Sequence, residues 1–351
     1  MGSYCSFIVA HPDQTDAIGS LCSNAGWTVR FIDDPSQRFW FQGSTRTELV
    51  SSDAIDLLRP GYSPGQLLVF ECEEIDANNL MGLIGATSNI IEASPSELIS
   101  LPSAFLIPAE KSDRDSIFVN VFRTRGFSQS FVSMPNLPLA VAMAAKAWND
   151  RSNIYAIHKL SQSYETECIT WHSTHPRYGQ IFENHTEEYK RHVNTSIAIN
   201  LAFSAIEEIQ LEIRSSSKKV RFNDNDRGEW NPKVLEDVTN RLSQQGVDLS
   251  EKINWIIRGD ADLVSVEVKP MLGSPAPYAD TEVVRDIEVT LPDALHISSF
   301  LRNFMTAHRF NETTKFIGPY EVFNVQNLVR RILLSKAGLW RVDTDEVLKH
   351  A

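Results

Sequence analysis

Cysteine is scarce in this chain. Cys5, Cys22, Cys72 and Cys168 fall at no framework spacing, which excludes a disulfide-stapled fold and points to a reducing, cytoplasmic setting. No apolar run approaches the ~20 residues that span a bilayer, so no membrane partner is expected. The opening MGSYCSFIVAHPDQ has neither the basic n-region nor the small-residue cleavage site of a secretory signal. A phosphate-binding glycine loop is missing too. Gly61–Gly65 and Gly82–Gly85 lack the lysine of a P-loop and the spacing of a dinucleotide fingerprint. There is no Gly-x-Ser-x-Gly elbow, and no cysteine sits in a nucleophile's context. Basic excess is also absent. Lys and Arg number 33 against 45 Asp and Glu, a net charge of −12 that argues against broad, non-specific nucleic-acid binding.

A local basic groove is still compatible with that balance. Arg214, Lys218, Lys219 and Arg221 form one cluster, and Arg330, Arg331 and Lys336 another. For either alone, solvated loop and helix ends are the plainer reading.

The chain has ample material for a core: 42% of its residues are hydrophobic and 22% charged. A length of 351 residues suggests two domains. Residues 1–135 alternate strand-like pieces (Ser6–Ala10, Trp27–Ile32, Phe39–Phe41, Gln66–Glu71, Phe105–Ile107, Ser116–Phe122) with helix-like ones (Asp16–Asn24, Thr47–Leu58, Ala77–Ile91). That pattern predicts an α/β domain with a partly parallel sheet, in a recognition or regulatory role. Composition changes near Ser133–Pro138, and residues 136–351 read as an all-α domain. The fold class is thus α+β, in two domains.

Leu139–Tyr164 is a long helical candidate. His192–Arg214 is apolar around nearly its whole circumference, which predicts a central, buried helix. Glu208 falls among its apolar positions, so it either anchors a polar network or marks a site. Asn231-Pro232 opens a helix that Gly246 ends. Tyr320–Ser335 follows helical spacing through Val322, Val325, Leu328, Val329, Ile332 and Leu333.

Chemistry concentrates in Asp293–Phe310, DALHISSFLRNFMTAHRF. Pro292-Asp293 suits a helix start, where a fixed φ and a negative side chain are both favourable. Ile297, Phe300, Leu301 and Phe304 share one face, and ~100° per residue puts His308 there as well. Arg302 lies about 120° away, so a regular helix does not set the two side chains side by side. They meet if the long arginine reaches round, if the helix loosens near His308, or if a second subunit completes the cleft. On spacing alone, a histidine ending an apolar face reads more readily as a hydrogen-bonded core residue. A second constellation, Cys168, His172, His175 and His185, has zinc-ligand residue types but not a finger's spacing, and local polar structure explains it better. No metal is assigned.

Arg302-Asn303-x-x-x-x-His308, within a helical region, resembles the Arg-x4–6-His signature of the HEPN superfamily. The helix around Ala202–Ser216, the final helix around Gly318–Leu333 and the segment Thr174–Phe182 are similar to those of ApeA-like bacterial HEPN proteins. The resemblance spans roughly residues 140–340. It implies a dimerising helical bundle whose paired motifs form a metal-independent endoribonuclease, often a toxin or an antiphage effector. Arg302 would hold phosphate, His308 would be the acid/base, and Asn303 the polar residue after the arginine. Glu208 and Arg309 would support them, and Arg214, Lys218, Lys219, Arg330 and Arg331 would bind RNA. No cofactor is implied. The implied partners are RNA, a second copy of the chain, and an antitoxin or regulatory protein. The alternatives are a non-catalytic RNA- or nucleotide-binding regulator, or a scaffold in which both residues are structural.

Overall fold

The computed structural model describes residues 3–10, 12–33, 39–42, 46–49, 62–64, 66–72, 74–95, 105–107, 136–169, 189–216, 218–223, 229–258, 284–306, 317–343 and 347. The chain divides into two compact units, Met1–Ile154 with Arg341–Ala351, and Tyr155–Trp340.

The first unit opens with β1 (Ser3–Ala10), a 3-10 turn at Pro12–Gln14, α1 (Thr15–Asn24) and β2 (Val29–Asp33). After β3 (Phe39–Gln42), β4 (Arg46–Leu49) and β5 (Tyr62–Pro64) come β6 (Gln66–Cys72), α2 (Glu74–Glu92), β7 (Phe105–Ile107) and α3 (Leu137–Ala147). The main sheet has the order β2-β6-β1-β7. Every neighbouring pair in it is antiparallel, in registers such as Phe7 opposite Val69 and Phe31 opposite Leu68. This corrects the expected partly parallel sheet. The strands joined by a helix do run in the same direction, but another strand always lies between them: β6 between β1 and β2, β1 between β6 and β7. That is the split βαβ plan, used twice.

β3, β4 and β5 form a separate antiparallel sheet in the order β4-β3-β5. Thr47 and Leu49, expected to open a helix, instead pair with Phe41 and Phe39. The aromatic run Phe39-Trp40-Phe41 favours a pleated partner over a local helix. Residues 50–60 and the expected strand Ser116–Phe122 lie outside the described residues.

The expected long helix from Leu139 to Tyr164 is broken at Trp148–Asp150, giving α3 and then α4 (Arg151–Thr166). Asp150 causes the restart, its Oδ1 accepting from the Asn153 amide at 3.1 Å as an N-cap does. α3 is buried along nearly its whole length and packs on α1 and α2. The Thr87 hydroxyl donates to the Ala140 carbonyl at 2.8 Å, and Asn136 Nδ2 to Glu92 at 2.7 Å. Those contacts place α3 in the first unit, and the division falls within α4 rather than at residue 135.

The second unit contains the rest of α4, α5 (Tyr189–Glu208), α6 (Pro232–Gln244), β8 (Ile253–Arg258), β9 (Val284–Val289), α7 (Leu291–Phe300), a π-helical turn at Leu301–Thr306 and α8 (Pro319–Lys336). It is mainly helical but not all-α. β8 and β9 pair antiparallel, Trp255 opposite Ile287, and bury Trp255. α6 has the expected ends: Asn231 Oδ1 accepts from the Lys233 amide, and Gly246 takes a positive φ of 75° that a side chain would resist.

α8 is the axis of this unit. Tyr320, Val322, Val325, Leu328, Val329, Ile332 and Leu333 are all fully buried, and the helix packs on α5, α7 and β8. Asn324, Gln326 and Arg331 are buried with it and have partners. Gln326 Nε2 donates to Ser163 Oγ and to the Glu167 carbonyl, while Ser163 donates on to the Ala198 carbonyl, tying α8, α4 and α5 together. Asn324 acts as a third strand beside β8, its Oδ1 accepting from the Ile256 amide at 2.9 Å and its Nδ2 donating to the Ile256 carbonyl at 2.7 Å. Asn324→Ala leaves both main-chain groups buried and unmet and is expected to cost about 2–4 kcal/mol in urea unfolding.

Candidate active site

α7 begins as its sequence predicts. Thr290 caps it, accepting from the Asp293 amide, and Pro292 stands in the first turn. Ala294, Leu295 and Ile297 are fully buried and Leu301 nearly so, which fixes the helix against the core. At Leu301 the helix widens into a single π-helical turn through Thr306. Such a turn carries an extra residue, so the rotation per residue falls below the α-helical ~100°. Arg302 thus stands inside the π turn, where the chain leaves the regular α-helical path. His308 and Arg309 themselves lie outside the described residues.

The turn is held from α5. The Thr306 hydroxyl lies 2.8 Å from Asn200 Oδ1 and 3.2 Å from the Arg302 carbonyl, sharing one hydrogen between two acceptors. Asn200 Nδ2 also reaches the Thr306 carbonyl at 3.5 Å. One amide therefore closes the far end of the turn, satisfying carbonyls that the regular ladder no longer serves.

Arg302 is half-exposed. Its Nη1 donates to Asn303 Oδ1 at 2.7 Å, and its Nη2 lies 3.5 Å from Glu207 Oε1. Asn303 turns its amide back, Nδ2 donating to Ser299 Oγ at 3.2 Å. Asn303 thus accepts from the arginine while donating to Ser299. Ser299 in turn accepts from Arg221 Nη2 at 3.2 Å, and Arg221 Nη1 lies 3.1 Å from His296 Nδ1. Arginine has no acceptor, so Nδ1 must accept, and the His296 ring is neutral with its proton on Nε2. Phe222 and Trp230 stand edge-on to that ring at 4.8 and 5.9 Å, and Trp230 Nε1 is anchored on Asp293 at 2.7 Å.

The other residues singled out in the sequence divide clearly. Glu208 anchors a network: Lys159 Nζ bridges its carboxylate at 2.6 Å and Ser204 Oγ at 2.7 Å. Arg331 is a structural clip on α8. Its side chain is 3% exposed and donates to the carbonyls of Lys252, Asp248 and Glu251 and to the Glu251 carboxylate. The RNA-binding expectation for Arg331 is corrected accordingly, because its guanidinium is enclosed by those groups. Arg214 and Lys218 are exposed and Lys219 half-exposed, around a short turn closed by Ser216 and Lys219, while Arg330 is half-buried on α8. α5 is not buried all round as expected. Tyr189, Val193 and Ile197, spaced i, i+4, i+8, are 81%, 54% and 44% exposed.

Sequence reasoning missed Glu207, Asn200, Thr306, His296 and Ser299, and it named Arg221 only as part of a basic cluster. The helical spacing of His296 and Ser299 with the predicted Asn303, at i, i+3 and i+7, is the one local signal that groups two of these missed positions.

Of the second constellation only Cys168 is described; His172, His175 and His185 lie outside. Among the described residues no three metal-ligating side chains come together. Burial, with Glu167 adding to it, pushes the Cys168 thiol up to about 11. That is the wrong direction for a reactive thiolate.

Two outcomes follow from this geometry. Asn200→Ala is expected to cost about 1–2 kcal/mol and to raise amide exchange across Leu301–Thr306 more than across Leu291–Phe300. Cys168 is expected to alkylate slowly at pH 8. Because its pKa is raised in the folded state, its share of stability is complete below the ordinary thiol value of 9.0 and is lost as pH rises toward about 11. Denaturant melts between those values, compared with Cys168→Ala, check the sign. No protein-family model, curated protein or solved structure matches the chain, so its site is described from its own geometry.

Proposed function

We propose that the second unit is a metal-independent endoribonuclease of HEPN type, acting as a homodimer. The observation that carries the reading is Arg302: a half-exposed guanidinium, aimed by Asn303 from a π-helical turn that opens directly ahead of His308. Among the described residues its one charged partner is Glu207, at 3.5 Å and itself more than a third exposed. An ion pair that exposed is worth ~0–1 kcal/mol, so a phosphate can displace it.

The chemistry follows from those two residue types. Arg302 binds the phosphate and stabilises its added transition-state charge. His308 takes the proton from the ribose 2′-hydroxyl or delivers one to the leaving 5′-oxygen. The 2′-oxygen forms a bond to the adjacent phosphorus as the bond to the 5′-oxygen breaks, leaving a 2′,3′-cyclic phosphate. The exposed stripe Tyr189-Val193-Ile197 supports pairing of two copies. It runs along α5 toward Asn200, which holds the Arg302 turn. Toxin or defence roles, and an antitoxin partner, rest on the HEPN resemblance alone.

A non-catalytic RNA- or nucleotide-binding regulator is the second reading, favoured by the engagement of Arg302 with Glu207 and Asn303 in the absence of ligand. Cleavage of bulk RNA in EDTA decides between them. The enzyme reading expects cutting that falls about 10²–10³-fold in Arg302→Ala and similarly in His308→Ala. Binding without cutting favours the regulator, and undiminished cutting by both variants removes the site.

A further inference from the structure

Arg221 is the most unusual charged group near Arg302. It ends the basic segment that follows α5 and is half-buried against α7. Its three side-chain bonds go to His296 Nδ1 at 3.1 Å, Ser299 Oγ at 3.2 Å and Ser215 Oγ at 3.0 Å. All three acceptors are neutral. No carboxylate among the described residues pairs with it. A guanidinium carries five N–H groups, so two remain beyond these three bonds. Burial draws its pKa below the usual value, as expected for a cation withdrawn from water without a counter-charge. Arg331, from the other basic cluster, shows the contrast: it has three carbonyls and a carboxylate around it.

A chain of three contacts connects Arg221 to Arg302. Ser299 Oγ accepts from Arg221 and from Asn303 Nδ2, each at 3.2 Å, and Asn303 Oδ1 accepts from Arg302 at 2.7 Å. Ser299 and Asn303 are four residues apart and so lie on one face of α7 and its π turn. The two arginines flank that face, one partly offset by Glu207 and the other by no carboxylate among the described residues.

We propose that Arg221 and Arg302 form a two-guanidinium site for consecutive phosphates of a single RNA strand, with Arg302 at the phosphate that is cleaved and Arg221 at its neighbour. The assignment of the ligand rests on the ribonuclease reading above. Arg221 is a binding residue here, set by His296 and Ser299.

The test uses the full chain in two arms. In the first, a single-stranded oligoribonucleotide is titrated into the His308→Ala protein across a salt series. In the second, inorganic pyrophosphate is titrated into the parent chain by calorimetry. Arg221→Gln is expected to flatten the salt slope of log K by about 0.7, the share of one phosphate contact on a single strand. It is also expected to weaken pyrophosphate about tenfold or more. Arg221→Lys keeps the charge but loses the fork, so it should retain the slope and weaken pyrophosphate severalfold. A folded Arg221→Gln with unchanged slope and unchanged pyrophosphate affinity overturns the proposal, even where Arg302→Ala abolishes cleavage. Absence of pyrophosphate binding to the parent overturns it too. Pyrophosphate binding that depends on Arg221, in a protein that cuts no RNA, supports the anion site and rejects the ribonuclease reading instead. If circular dichroism shows Arg221→Gln unfolded, Arg221→Lys decides, and parental pyrophosphate affinity in that variant overturns the proposal.

Discussion

A helix buried on all sides must satisfy its polar side chains inside the protein, and that requirement organises the second unit. α8 carries Asn324, Gln326 and Arg331 at buried positions. Each is costly without partners, by ~1–3 kcal/mol for a neutral group and more for a charge. The structure meets the cost by bringing main-chain groups to them. β8 lies against Asn324, the end of α4 against Gln326, and the loop Asp248–Lys252 against Arg331. Apolar packing alone would tolerate several rotations of these elements about α8. The three polar side chains select one, because each bond works over a few tenths of an ångström.

With α8 fixed, α5 and α7 are placed against it, and the site lies where α5 meets the end of α7. α5 contributes Asn200 to close the π turn and Glu207 to meet Arg302. The turn itself trades a regular ladder for a changed direction, a trade that persists only when other groups take over the lost bonds. Here Thr306 and Asn200 do so. The exposed Tyr189, Val193 and Ile197 occupy the opposite end of the same α5, so one helix carries both the support of the site and an uncovered apolar stripe.

Legibility from sequence followed the range of the interaction. α8 was readable because six apolar positions repeat at helical spacing, and α6 because Asn231, Pro232 and Gly246 punctuate its ends. Glu208 among apolar neighbours announced a network, though only the fold could supply Lys159, 49 residues away. In the first unit the strands Ser6–Ala10, Trp27–Ile32, Phe39–Phe41, Gln66–Glu71 and Phe105–Ile107 and the helices Asp16–Asn24 and Ala77–Ile91 were legible, whereas Thr47–Leu49 proved to be strand. The directions of β1 and β2 follow from α1 between them, but the insertion of β6 is a pairing across more than 30 residues that no local pattern encodes. β8 and β9 were missed for the same reason. The π turn was not legible because periodicity arguments assume a constant rotation per residue.

The two basic clusters show why charge read along a sequence does not assign a partner. Arg221 and Arg331 are alike as letters, each beside other cations, in a chain of net charge −12. Arg331 is enclosed by carbonyls and a carboxylate and holds the fold. Among the described residues Arg221 meets only neutral acceptors. In an acidic protein, attraction to a polyanion cannot come from the surface as a whole, and at physiological salt it is screened beyond ~8 Å. On the proposed ribonuclease reading, phosphate recognition would then come from a few guanidiniums desolvated and aimed in advance. The neutral character of the bonds around Arg221 is what leaves its charge available, since a carboxylate at Ser299 or at His296 would cancel it without improving the clip.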